Sequence, residues 1–225
     1  MSLISTENLL KQFLKKKTYE KKEYHLQPII KEEFTADTFL KPSKVFVPFV
    51  GSAGEIREFI RDAFLQTTNL TLPEDIIFHV LPLEEFKEAH GKFGSAWDDG
   101  ILGFSINRNH INLPSLVFAR KERLDKILLT IGHEIGHVMS LTLSDKHNEE
   151  AKAFAFSMAW MRVIKEKDIA NIGENIELDI PARNGLHNVA CDFVLGKLKS
   201  GVEPLKLFHS LVKGEEKVKL ESFIE

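Results

Sequence analysis

Cysteine is nearly absent from this chain. A single one, Cys191, in 225 residues excludes an internal disulfide and suits a reducing compartment. Tyrosine is almost as scarce. Both copies, Tyr19 and Tyr24, lie near the N-terminus, so neither is expected at a site in the body of the chain. No apolar run approaches the length of a membrane span, and the first residues lack the apolar stretch of a secretory signal. The expectation is a cytoplasmic protein with no membrane partner. An excess of one charge is also missing: a net charge of -3 gives no general attraction to nucleic acid or anionic lipid.

With 43% hydrophobic residues the chain can build one sizeable core, with or without an appendage. The pattern suggests a boundary near residue 44. Residues 1–43 read as an N-terminal helical and irregular appendage. Its helix, Ser2 to Tyr24, sets Leu9, Leu10, Phe13 and Leu14 against Lys11, Lys15, Lys16, Lys17, Lys21 and Lys22. Glu20 and Glu23 interrupt the lysines, which favours a solvated amphipathic helix over a nucleic-acid site. Pro28 and Pro42 bracket an irregular segment that can lie across the rest of the protein, where it is a candidate intramolecular lid or inhibitor.

Residues 44–225 read as a single α+β domain. Val45 to Val50 suggests an edge strand broken by Pro48. Ser52 and Glu55 have capping-box spacing, and Ile56, Phe59, Ile60, Ala63 and Phe64 continue a helix. Asp75 to Leu81 reads as a strand and Leu83 to His90 as a short helix. Ile101 to Ser105 and His110 to Leu113 read as a hairpin around the polar turn Asn107 to Asn109. The adjacent acids Asp98 and Asp99, before a glycine, read as a turn, and His110 as a strand histidine.

The most informative stretch is Thr130 to Met139, T-I-G-H-E-I-G-H-V-M. Residues four apart share one face of a helix, so His133 and His137 can present two imidazole nitrogens to one metal ion. Such pairs bind zinc. Glu134 would then sit beside the open coordination position, where a carboxylate can take a proton from water. Leu124, Ile127, Leu128 and Ile131 recur at helical spacing upstream, so a helix buried on one side runs into the motif. Gly132 and Gly136 each cost about 1 kcal/mol in a helix interior relative to alanine. Close approach of another segment explains both glycines, which two merely structural histidines do not.

A catalytic zinc site needs a third protein ligand. The pattern that supplies a third histidine soon after the second is absent, because Ser140 and Leu143 occupy its positions. His147, Glu149 and Glu150 remain, and a glutamate is favoured. From Asn148 to Glu166 the chain reads as one long helix, with Asn148, Lys152, Arg162 and Glu166 on a stripe expected to face water. Glu150 falls on the opposite side with Phe154, Ser157, Met161 and Ile164, where a carboxylate is costly unless paired or bound to metal. Glu149 lies on the flank. Glu150 is therefore the favoured ligand and Glu149 the fallback.

The combination His133, Glu134, Ile135, Gly136, His137, followed by Glu150, Ala151, Phe154 and Ala155, resembles the ImmA/IrrE type of zinc metallopeptidase within the gluzincin group. The resemblance spans about Trp97 to Met161. Lys152 departs from it, standing where the family commonly has asparagine, and no helix-turn-helix is evident. It implies a zincin-like α+β fold in which a small mixed or antiparallel sheet packs on two zinc-bearing helices, with a helical C-terminal part. It also implies one Zn2+ per chain, a protein or peptide substrate, and an edge strand that pairs with that substrate. Metal held by His133, His137 and Glu150 would act with Glu134 as general base. Beyond the polar segment Asn171 to Asn184, a helix from about Leu186 to Lys199 carries His187 and Cys191. His187, or else Arg183, is the candidate stabiliser of an oxyanion; Cys191 is the weaker candidate for a silencing ligand. The competing reading is a zinc-binding regulatory or interaction protein with a blocked cleft.

Overall fold

The capping signal at Ser52 begins the first helix, α1 (Ala53–Thr68). The Glu55 carboxylate accepts from the Gly51 N–H at 3.1 Å and from the Ser52 hydroxyl at 3.0 Å. Only half of the expected capping box forms: Ser52 Oγ accepts no N–H from the helix, and Glu55 instead ties down the two residues that precede the helix. Ile56, Ile60, Ala63 and Phe64 form its buried stripe, and Asn69 stops it in the left-handed region with φ 58°. The computed structural model describes residues 34–42, 47–93, 97–178 and 189–218. Within them it is an α+β protein with six α-helices and one mixed, three-stranded sheet.

β1 (Ile76–Leu81) is followed by α2 (Leu83–Gly91), then β2 (Gly103–Ile106) and β3 (Ser115–Arg120). The sheet order is β1-β3-β2, with β1 parallel and β2 antiparallel to β3. Alternation along the strands divides the apolar side chains between two faces. Val117, Ala119, Ile76 and Val80 join the main core, whereas Leu116, Phe118, Leu81 and Ile101 pack with Phe86 and Ala89 of α2 in a second, smaller one. A central strand covered on both faces has to be apolar at successive positions, as β3 is.

The hairpin is present, but its second strand is not His110 to Leu113. That stretch forms a 3-10 turn, Asn109–Ile111, followed by Asn112 at φ 54°, and the strand starts at Ser115. The reason is in the side chains. Asn107 and Asn109 bond to the end of the next helix, while Ser115 Oγ accepts from the Arg108 N–H and donates to Asn109 Oδ1. The loop is thereby held outside the ladder. The expected strand at Val45 to Val50 lies partly outside the described residues; its described end contributes only an isolated bridge between Phe49 and Arg123.

α3 (Leu124–Val138) carries the His-Glu-x-x-His motif, and α4 (Lys146–Lys167) is the long helix after it. The two pack at the motif glycines. A Cβ on Gly132 would lie 2.3 Å from the Trp160 indole, and one on Gly136 would lie 2.8 Å from Ala153 Cα. Trp160 Nε1 donates to the Leu128 carbonyl at 2.9 Å. Thr130 and Glu134, each two residues from one of these glycines and so roughly 200° around the helix, face Gly103 of β2. α3 thus lies between the sheet and α4, instead of both helices packing on the sheet.

α4 is buried on nearly every side because α1, α3, α5 (Val189–Lys199) and α6 (Pro204–Val212) all pack against it. One consequence overturns an expectation: Lys152, placed on a water-facing stripe, has a side chain that is 0% exposed. Residues 34–40 also belong to the main core, through Phe34, Ala36 and Phe39. They are anchored by the Glu177 N–H to the Phe39 carbonyl at 2.9 Å and by Lys126 to Asp37 at 3.0 Å. Among the described residues no helix is long and apolar enough to cross a membrane.

Candidate metal centre

The helical spacing works as the motif requires. His133 and His137, one turn apart on α3, bring their Nε2 atoms within 3.3 Å of each other. Glu150, in the first turns of α4, places Oε2 3.6 Å from His133 Nε2 and 3.8 Å from His137 Nε2. Four ligands about 2.0–2.1 Å from a tetrahedral ion stand ~3.3–3.4 Å apart. The three atoms therefore have nearly the mutual spacing of such a coordination sphere. Glu150 Oε2 is buried and has no hydrogen-bond partner, which a bare carboxylate oxygen tolerates poorly. The group His133, His137 and Glu150 can hold a metal ion.

Glu149, the fallback ligand, does something else. Its Oε1 lies 2.9 Å from His137 Nδ1, on the side of the ring away from the ligand cluster. A carboxylate there holds the Nδ1–H tautomer and leaves the Nε2 lone pair for a cation. Glu149 Oε2 accepts from the Leu143 N–H at 2.7 Å and from the Lys152 ammonium at 2.9 Å. On the other ligand, Phe34 stacks over the His133 ring with centroids 4.4 Å apart, and Phe154 meets it edge-on at 5.0 Å. The His133 side chain is only 3% exposed, against 17% for His137 and 19% for Glu150, so His133 is the most enclosed of the three.

The electrostatics of the enclosure favour positive charge. Burial by itself would lower the His137 pKa, but Glu150, the hydrogen bond from Glu149 and the charge of Glu134 together raise it to about 9. Burial would raise Glu149 and Glu150, yet both are held below the ordinary carboxylate value. For Glu149 the opposing groups are His137, Lys152 and the Leu143 N–H; for Glu150 they are the two histidines. A proton on His137 and a cation at the Nε2 pair are alternative sources of that charge.

Glu134 is buried beside this cluster, facing the sheet. A Cβ on Gly103 would fall 2.4 Å from Thr130 Cγ2 and 3.2 Å from Glu134 Cγ, so the missing side chain lets the start of β2 reach the motif helix. An isolated glycine in a strand is a sequence sign of such an approach. The end of α3 is held by groups that sequence reading did not assign to the site. Asn107 Nδ2 donates to the His137 and Ser140 carbonyls at 2.9 and 2.6 Å, and Asn109 Nδ2 to the Val138 carbonyl at 2.8 Å. Lys152 Nζ donates to the His137 carbonyl at 3.3 Å.

His187 and Arg183 lie outside the described residues. Asp98 accepts from the Gly100 N–H at 2.8 Å, as an Asx turn, and is not part of the cluster. No protein-family model, no curated protein and no solved structure matches the chain.

Proposed function

We propose that the protein is a zinc-dependent metallopeptidase of gluzincin type, with one zinc ion per chain on His133, His137 and Glu150. The observation that carries this reading is the convergence of His133, His137 and Glu150 on one point, with Glu134, a buried carboxylate outside that group, next to His133 on the motif helix. Two histidines and one carboxylate leave a tetrahedral ion one open position, the composition of a hydrolytic site and not of a closed structural one. The resemblance of His133 to His137 and Glu150 to Ala155 to the ImmA/IrrE type supports the same assignment.

When bound, such an ion supplies Lewis acidity to a peptide carbonyl and to the attacking water. The chain's own groups do the remainder. The Glu134 carboxylate accepts the proton that the water loses and returns it to the leaving amine. Glu149 keeps the His137 ring turned toward the cluster. Among the described residues β2 pairs only with β3, so its outer edge offers main-chain donors and acceptors to an extended protein or peptide substrate.

The test is metal content and turnover in parallel. Wild-type protein should carry one zinc per chain, Glu150→Ala should lose it, and Glu134→Gln should keep it while losing hydrolysis of unstructured peptides. A wild type that takes up no metal when zinc is supplied would sink the proposal. A second reading, a zinc-binding regulatory protein with a closed cleft, draws on the Phe34 ring seated over His133. Removal of Met1 to Leu40, which takes Phe34 with it, tests it: hydrolysis gained only on truncation supports latency, none in either form supports a non-enzymatic role, and hydrolysis by the full chain excludes the closed cleft.

A further inference from the structure

Lys152 has the environment of a working group. Its ammonium has three donors and four acceptors around it: Glu149 Oε2 at 2.9 Å, Ser140 Oγ at 3.2 Å, the His137 carbonyl at 3.3 Å and the Leu141 carbonyl at 3.4 Å. The side chain is wholly buried. Stability is a poor reason for such an arrangement, because replacing a buried ion pair by apolar groups of similar volume is often neutral or stabilising. The contacts have a different common feature, which is His137. The ammonium touches the carbonyl of that residue directly and touches its imidazole through Glu149.

We propose that Lys152 is a positioning residue for the metal centre, holding His137 from both its backbone and its ring through Glu149. The inference rests on the metal-centre reading above. Its physical content is twofold. A positive charge at the end of α3 is favoured by the helix dipole and fixes the last turn of the motif helix against the first turns of α4. The ammonium also holds the Glu149 carboxylate from its far oxygen, leaving Oε1 turned toward His137 Nδ1, so one ligand is aimed by a chain of contacts that runs from α4 to α3.

The experiment is a double-mutant cycle on metal affinity, with Zn2+ measured by chelator competition and Co2+ by its visible absorption. The proteins are wild type, Lys152→Met, Glu149→Gln and the double variant; unfolding of the metal-free forms is followed alongside. Loss of an outer-shell partner costs about 10–100-fold in metal affinity. Lys152→Met should show that loss and an altered Co2+ spectrum, and the double variant should bind no more weakly than the weaker single variant. Should Lys152→Met fail to fold, Lys152→Gln retains a donor without the charge and carries the same cycle. Unchanged affinity and spectrum, or losses that multiply in the double variant, overturn the role of Lys152 while leaving the metal centre standing. A wild type that binds neither ion overturns the metal centre itself, and this inference with it.

Discussion

Substitution of Gly136 by alanine sets two known effects against each other. Alanine is favoured over glycine in a helix interior by about 1 kcal/mol, so a variant with free space at this position would be stabilised. Space is not free. The new Cβ would lie 2.8 Å from Ala153 Cα, 2.9 Å from the Ala153 carbonyl oxygen and 3.1 Å from Phe156 Cβ. Carbon atoms rest about 3.5–4.0 Å apart, so α4 must retreat by about 1 Å. Backbone cannot swing aside as a long side chain does, and overpacking of this kind costs ~1–3 kcal/mol. The net change is then a destabilisation of up to about 2 kcal/mol. The effect on the centre is larger, because Glu150 stands one turn before Ala153 on the face that retreats. Its distances of 3.6 and 3.8 Å to the two histidines already exceed the ~3.3–3.4 Å between tetrahedral ligands, so further retreat draws Glu150 away from the shared ion position. Metal titration and thermal unfolding of Gly136→Ala should therefore show weakened binding with a lowered or unchanged midpoint. A variant stabilised by the full helix-propensity gain, with wild-type metal affinity, would refute the close helix contact as the cause of the glycine.

Protonation supplies a second prediction. His137 is raised from 6.5 to about 9 in the metal-free protein, so below that value a bound cation must displace a proton. Metal affinity should rise about tenfold per pH unit up to near pH 9, whereas a flat profile in chelator competition would contradict the assignment. In the metal-free protein the sign reverses. The stability that protonated His137 contributes is complete below its ordinary value of 6.5 and is lost as pH rises through about 9, which unfolding at successive pH values reads directly. At the edge strand, Gly103→Ala should destabilise the protein and reduce peptide hydrolysis, because its Cβ meets Thr130 Cγ2 at 2.4 Å. Adding Thr130→Ser removes that methyl and should restore part of both losses; no restoration would mean that the Phe118 carbonyl, at 3.1 Å, is the limiting contact.

Much of the centre was legible in one dimension because its chemistry begins as local geometry. The i, i+4 spacing of His133 and His137 is a property of any α-helix, and the apolar residues before them announce that the helix is buried. Gly132 and Gly136 announced a close neighbour, which proved to be Trp160 and Ala153 of α4. The choice of Glu150 over Glu149 also followed from helical azimuth, and the two carboxylates do point to different atoms: one to the Nε2 pair, the other to His137 Nδ1.

The relations between elements were not readable from the chain alone. A helical wheel places Lys152 beside Asn148 and cannot know that Ser140 and Leu141 fold back over that turn of α4 and take up its ammonium. Nor does strand propensity in His110 to Leu113 register that Asn107 and Asn109 are claimed by carbonyls about thirty residues away at the end of α3. The helices, the motif face and the grouping of His133 and His137 on it were readable from the sequence, since each depends on neighbours within a turn or two. The spacing of those ligands, the seat of Phe34 on His133 and the burial of Lys152 depend on which surfaces meet, and packing between distant segments sets that.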